Sequence, residues 1–425
     1  MSKGFAALMP VRAGEWRAVG FAFAWFYCLL AGYYVLRPVR DALGIAGGVD
    51  RLPWLFTATF IAMLALTPVF GWLTSHLPRR RFLPAVYIFF GLNLAGFYAL
   101  IAAEVAPQAT ADAFFVWVSV FNLFVVSVFW SFMVDLFSEA QGARLFGLIA
   151  AGGSAGALTG PLLTALFVNT LGTANLLLVS AGFLGLALVC LYCLLPCRPA
   201  PTRGTTIAPG NEAPIGGSMW GGLTAVARSP YLLGVCLYLL LHSALFTMLY
   251  FETATLALDA YPGRESRIGF FARIDLAVNL LTAVLQLGLT ARLLRWLGVA
   301  GTLAILPALS VAGFIVLALF PVFAVVVGFQ IVRRAGEYAL AKPARELLFS
   351  VLGREDKYKA KNFIDTVVFR GADTASGWLY QAIKPLALSL STLSWLAAPL
   401  AAGWALLALA LGRHQRRLAA TRSAT

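Results

Sequence analysis

Charged side chains stand in this sequence where they cost most. Arg333, Arg334, Glu337, Lys342 and Arg345 crowd one apolar stretch, and Asp365, Arg370 and Asp373 another. The chain around them is 60% hydrophobic and 12% charged, and runs such as 21–36 and 82–103 suit a bilayer better than water. Charge at membrane depth is expensive, so these groups are expected to face a protein-lined cavity and to mark a pathway. Guanidinium groups match carboxylate and phosphate in a planar, two-pronged way, so the chemistry implied is the handling of an anion.

The spacing narrows the candidates. On an α-helix Arg333, Glu337 and Arg334 project at about 0°, 40° and 100°, so Glu337 can bond either arginine. The pair either meets an anion or belongs to a structural network. Lys342 and Arg345 lie further along and can snorkel to the interface. Asp365, Arg370 and Asp373 fall at about 0°, 140° and 80°, within one arc, with Arg370 and Asp373 close enough to pair with each other. Arg37 and Arg40 share a face three residues apart, beside Pro38. They serve as a gate, as anion ligands or as interface anchors. Glu252 sits in mid-segment with Asp259 two turns on, and it can titrate or pair. Arg273 and Asp275 point about 200° apart, so at most one of them is expected to face a pore, and Arg273 is favoured. The candidate substrate ligands are thus Arg37, Arg40, Arg273, Arg333, Arg334 and Arg370. The candidate gating or coupling groups are Glu252, Glu337, Asp365 and Asp373.

About twelve apolar stretches carry these residues, near 16–36, 53–74, 82–103, 113–137, 144–168, 173–196, 229–258, 267–292, 298–320, 322–349, 360–386 and 390–412. Each has roughly the 20 residues that cross a bilayer as helix. Helix is the default because every backbone polar group must be satisfied inside the segment. Residues 1–15 do not read as a signal peptide. The net charge of +14 is mainly a topology signal. Twenty of the 32 Lys and Arg residues fall at alternate loops and both ends, which puts both termini in the cytoplasm and argues against a nucleic-acid surface. Cys28, Cys190, Cys193, Cys197 and Cys236 read as buried inert thiols. His76, His242 and His414 are scattered, no phosphate-binding glycine loop is followed by Lys and Ser or Thr, and no enzyme constellation or cofactor motif occurs. Transport without ATP hydrolysis is the class implied, with a small anion and the lipid bilayer as partners and a monomer as the working state.

Residues 197–228, rich in Pro, Gly and Thr, read as a cytoplasmic linker between halves 1–196 and 229–425. The halves echo one another. Asp135-Leu-Phe-Ser138 corresponds to Glu346-Leu-Leu-Phe-Ser350, and Gly156-Ala-Leu-Thr-Gly160 to Gly371-Ala-Asp-Thr-Ala375. In that register Arg370, Asp373 and Asp365 stand where the first half has Ala155, Leu158 and Ala150, so these charges are additions to one half only. Gly152, Gly156 and Gly160 recur every four residues, the spacing of close helix contact. The expected fold is an all-α membrane protein of twelve transmembrane helices in two six-helix halves, major facilitator-like.

Two stretches resemble the non-mitochondrial ATP/ADP translocases, the nucleotide antiporters of plastids and intracellular bacteria. One is Tyr34-Val-Leu-Arg-Pro-Val-Arg-Asp-Ala-Leu43. The other runs from Glu337-Tyr-Ala-Leu-Ala-Lys-Pro-Ala-Arg-Glu346 through Arg354-Glu-Asp-Lys-Tyr-Lys-Ala-Lys361 to Asp365. The resemblance implies an inner-membrane exchanger of a nucleotide or another phosphorylated anion, with Glu252 at the place of a functional acidic residue. The chain departs from that pattern near Ser119, which lacks the family's acidic residue, and near Asp373, where the family has a lysine. The alternative is a proton-coupled major facilitator exporter of another organic molecule or lipid.

Overall fold

The computed structural model describes residues 11–12, 14–76, 79–197, 219–353 and 360–423. Most of the expected linker, and residues 354–359 of the translocase-like stretch, lie outside them. Every regular element among the described residues is helical. The helices are α1 (Trp16–Gly44), α2 (Leu52–His76), α3 (Arg79–Ala102), α4 (Pro107–Leu136), α5 (Glu139–Leu194), α6 (Met219–Arg228), α7 (Pro230–Ala260), α8 (Arg264–Gly288), α9 (Thr290–Leu319), α10 (Phe323–Gly336), α11 (Lys342–Leu348), α12 (Phe369–Ile383) and α13 (Leu390–Ser423).

Twelve passes come out of these elements. Among the described residues nine helices are long and apolar enough to cross a membrane. One of them, α5, makes two passes, because Gly172 adopts φ 75°, ψ 169° and breaks it into 139–171 and 173–194. That left-handed backbone suits glycine, which has no Cβ to clash. Two further passes are each interrupted by a π-helical turn. α10 and α11 are joined through Glu337–Ala341, and α12 is entered through Ile364–Val368. Prolines such as Pro38 and Pro161 are carried inside helices, as membrane helices tolerate.

The chain forms two compact units. The first contains Met1–Gly48, Ile61–Thr205 and Tyr261–Leu276. Its core is aromatic, with Trp25 meeting Tyr87, Phe129 and Phe132 edge-on. α1 lies against α5 along the glycine line: a Cβ on Gly152, Gly156 or Gly160 would come within 2.3–2.6 Å of the carbonyl oxygens of Phe23, Tyr27 and Ala31. Close packing therefore accounts for the four-residue spacing. Ser138 caps α5 in a reciprocal box with Gln141. Glu15, just ahead of α1, accepts from Arg144 and Gln141 of α5. The Arg144 guanidinium, helped by the Arg12 N–H and by Gln141, holds the Glu15 carboxyl down at about 2. This tie is present from neutral pH through the ordinary carboxylate range and is lost only as pH falls toward that value. The start of α8 joins this unit through Glu265, which accepts from Thr173.

The second unit contains Val49–Phe60, Thr206–Ala260 and Ala277–Thr425. Trp404, Tyr238, Phe314 and Phe349 are fully buried in it. α9 kinks at Gly298, where φ is 65°, and Arg416 of α13 donates to the Leu297 carbonyl freed there. The start of α2 belongs here: Thr374 donates to the Phe56 carbonyl, the Trp378 indole to Thr57, and Lys384 pairs with Asp50.

The glycine contact yields a direct expectation. Gly156→Ala forces a methyl against backbone and should lower stability by about 1–3 kcal/mol. Gly185→Ala, with no atom within 4 Å of its added Cβ, should be neutral or slightly stabilising. Thermal unfolding of the two variants in detergent checks the contrast.

Candidate functional site

The second unit holds a buried basic cluster. Gln330, Arg333, Arg334 and Glu337 recur along one stripe of the tenth pass, and the first three are buried, Arg333 to 1% exposure. The Arg333 guanidinium lies 4.8 Å from the ring of Phe246 on α7. A cation over an aromatic face gains on the order of 1–2 kcal/mol when desolvated. Two Arg333 nitrogens, Nε and Nη1, are buried without a hydrogen-bond partner, as are Gln330 Oε1, Thr247 Oγ1 and the Tyr238 hydroxyl. Buried polar atoms are nearly always satisfied, so such a gathering marks a place built for water or a ligand.

Glu337 is the carboxylate at the centre, and its partners differ from those expected. It faces His242 Nδ1 at 3.7 Å and Arg345 Nη1 at 3.5 Å. Arg345 is buried rather than snorkelling. The π-turn Glu337–Ala341 supplies the reason. A π-turn inserts one extra residue per turn, so the eight steps from Glu337 to Arg345 count as seven α-helical ones. Seven steps return to nearly the same face, about −20°, where an unbroken helix would put Arg345 at about 80°. Gln286 and Thr290 donate to the carbonyls of Tyr338 and Ala339 and so satisfy the turn. His242, set aside in the sequence as scattered, reaches Glu337 because α7 packs against this stripe.

The same device acts in the eleventh pass. With the π-turn Ile364–Val368 counted, Asp365, Arg370 and Asp373 fall near 0°, 40° and −20°, a tighter arc than an unbroken helix allows. Asp373 accepts a hydrogen bond from Ser243 of α7 and stands 3.8 Å from Arg370. Asp365 lies within the electrostatic reach of Arg345. Glu252 accepts from the Tyr380 hydroxyl at 2.7 Å. α7 therefore meets both charged passes along one length, and its rings at His242, Phe246 and Tyr250 stack on one another at a four-residue spacing.

In the first unit the helix 1 arginines are engaged internally. Arg37 Nε lies 3.6 Å from Asp275, which is 2% exposed. Arg40 donates to Asp41 at 2.6 and 3.0 Å and to Ser119 at 3.4 Å. Of the α8 pair it is thus Asp275 that turns inward to a partner, while Arg273 is exposed. The helical angle separates the two residues without telling which side is packed. Among the described residues no group of His, Cys, Asp and Glu could hold a metal ion. Cys28, Cys190 and Cys236 are buried free thiols.

A family model described as Major Facilitator Superfamily matches residues 13–336. A search of the curated proteins finds no match. Among solved structures, the POT family transporter PepTSo aligns over 95% of this chain and 98% of its own, at 13% identity and a TM-score of 0.64. A mutant of the nucleoside transporter NupG aligns over 95% and 99%, at 11% identity and a TM-score of 0.63. A bacterial homolog of the human lysosomal transporter Spinster aligns over 96% of both chains, at 14% identity and a TM-score of 0.58. At these identities the likeness is one of fold.

The Arg37–Asp275 pair can be tested by its asymmetry. Arg37→Met leaves Asp275 buried beside an apolar side chain and should cost about 3–5 kcal/mol. The double change Arg37→Met with Asp275→Leu removes both charges and should recover most of that loss. Thermal midpoints of the single and double variants check it.

Proposed function

Because the chain belongs to the Major Facilitator Superfamily, and so is a multi-pass membrane transporter rather than an enzyme, we propose that it is a secondary-active antiporter of a nucleotide or another phosphorylated or organic anion. One observation carries the reading: the Arg333 guanidinium is buried over the Phe246 ring with two nitrogens that have no hydrogen-bond acceptor, on the same stripe as Glu337, which itself faces Arg345 at 3.5 Å. Arg334 is buried on the same stretch of the tenth pass. A desolvated guanidinium with unmet donors is costly, and an anionic substrate relieves that cost. Arg333 and Arg345 hold the anion, Arg334 and Arg370 raise the local potential, and Glu337 acts as the internal counter-ion that yields when substrate enters. An emptied site restores the uncompensated charge and resists reorientation, which makes exchange the natural mode. Arg37 and Arg40 keep Asp275 and Asp41 and serve as coupling pairs rather than ligands. The translocase-like stretches around Glu337–Glu346 agree with this choice of substrate class. The basic residues at alternate loops support a bacterial inner-membrane location with both termini cytoplasmic.

A second reading has its own support. Glu252 lies in a membrane-spanning helix with the neutral Tyr380 hydroxyl as its hydrogen-bond partner. A carboxylate so placed is suited to carry a proton, as a proton-coupled exporter needs.

Counterflow in proteoliposomes tests the first reading. Labelled nucleotides and phosphorylated compounds should exchange in the native protein. Arg333→Gln should slow exchange at least about thirtyfold, Arg333→Lys less, and the loop variant Arg292→Gln hardly at all. Absence of exchange with every anion tried, or full exchange by Arg333→Gln, rejects the reading. A pH gradient that drives transport, and fails to in Glu252→Gln, supports the second.

A further inference from the structure

We infer that the anion site carries a second pole, a cation subsite at Asp373, so that the transported molecule is a zwitterion with an amine set a few bonds from its phosphate or carboxylate. The inference rests on the anion reading above and narrows it.

Asp373 occupies a position in α12 that packing does not require to be charged, since the corresponding residue of the first half is Leu158. Its carboxylate is nevertheless oriented. Oδ1 takes the Ser243 hydroxyl, which pins the group to the face of α7. Oδ2 points toward Arg370, whose Nη1 stays at 3.8 Å, outside hydrogen-bond reach, on a side chain 40% exposed. Asp373 thus keeps an oxygen without a hydrogen-bond donor, beside a cation loose enough to swing aside.

The opposite pole is met by the same helix. Ser243 and Phe246 lie three residues apart on α7, on one face and separated by roughly 4.5 Å along the axis. The carboxylate is fastened at the first and the Arg333 guanidinium lies over the second. Thr247, one turn beyond Ser243, has a buried hydroxyl without a partner, and so does the Gln330 carboxamide oxygen one turn before Arg333. A single turn of α7 therefore meets a negative and a positive group, each incompletely satisfied, and orphaned polar atoms occur on that turn and on the turn before Arg333. A plain polyanion there would answer Arg333 but be repelled by Asp373. A molecule carrying both charges answers both.

The test uses purified full-length protein and two probes that differ only in the amine, phosphoethanolamine and ethyl phosphate, with ATP as a third. Ligand-induced thermal stabilisation and equilibrium titration are read for each. Phosphoethanolamine should bind about tenfold more tightly than ethyl phosphate. Asp373→Asn should bring that ratio close to one, and Asp373→Glu, which keeps the charge, should preserve it. Equal affinities in the native protein, a ratio that survives Asp373→Asn, or ATP binding tighter than both probes and indifferent to Asp373→Asn overturns the zwitterion while leaving the anion site standing. Absence of binding by all three probes overturns both.

Discussion

A guanidinium group buried inside a membrane-spanning helix must be compensated, and the second unit is organised around that requirement. Arg333 is almost wholly removed from solvent. Water, which normally stabilises such a charge, is replaced by the face of Phe246 and by the field of Glu337. Neither is a complete substitute, because the carboxylate also faces Arg345 at 3.5 Å. The π-turn at Glu337–Ala341 makes this sharing possible, and Gln286 and Thr290 keep that turn satisfied. Site, turn and supporting hydrogen bonds are consequences of one electrostatic problem.

The two halves put equivalent helices to different uses. In the first, the glycine line of α5 lets its backbone approach α1 so closely that nothing larger than hydrogen fits. In the second, the matching stretch around Gly371 makes no such approach, with Phe60 at 3.8 Å as the nearest atom met by an added Cβ. There the helix is loosened by a π-turn and bears Arg370 and Asp373 instead. Close packing in one half and π-interrupted, charged helices in the other suit a division of labour in which one part supports and the other binds.

Much of the architecture was legible in the residues. Hydropathy and loop charge alone locate the twelve passes, because bilayer thickness sets their length and each must satisfy its own backbone. The break between the fifth and sixth passes falls at Gly172, within the polar gap between two apolar runs. The candidate site was legible only in part. Arg333, Arg334, Glu337, Asp365, Arg370 and Asp373 stand out because charge in an apolar run is rare. Their partners do not. His242, Ser243, Asp275 and Tyr380 come from other helices, and a helical wheel carries no information about which helix lies opposite. The π-turns are equally invisible, since neither Glu337–Ala341 nor Ile364–Val368 contains a Gly or Pro that would announce a break. An unbroken helix would carry Arg345 away from Glu337, and the π-turn brings it to 3.5 Å.

The central claim is that Glu337 stands in for the anion, occupying arginines that a substrate would otherwise take. Equilibrium binding of ATP and of inorganic phosphate to Glu337→Gln, compared with the native protein, tests this most directly, because the claim fixes the sign of the change. Removing the internal counter-ion frees Arg345 and Arg333, so anion affinity should rise by about tenfold. Weaker or unchanged binding of both anions would mean that Glu337 only holds the helices together, and would contradict the account.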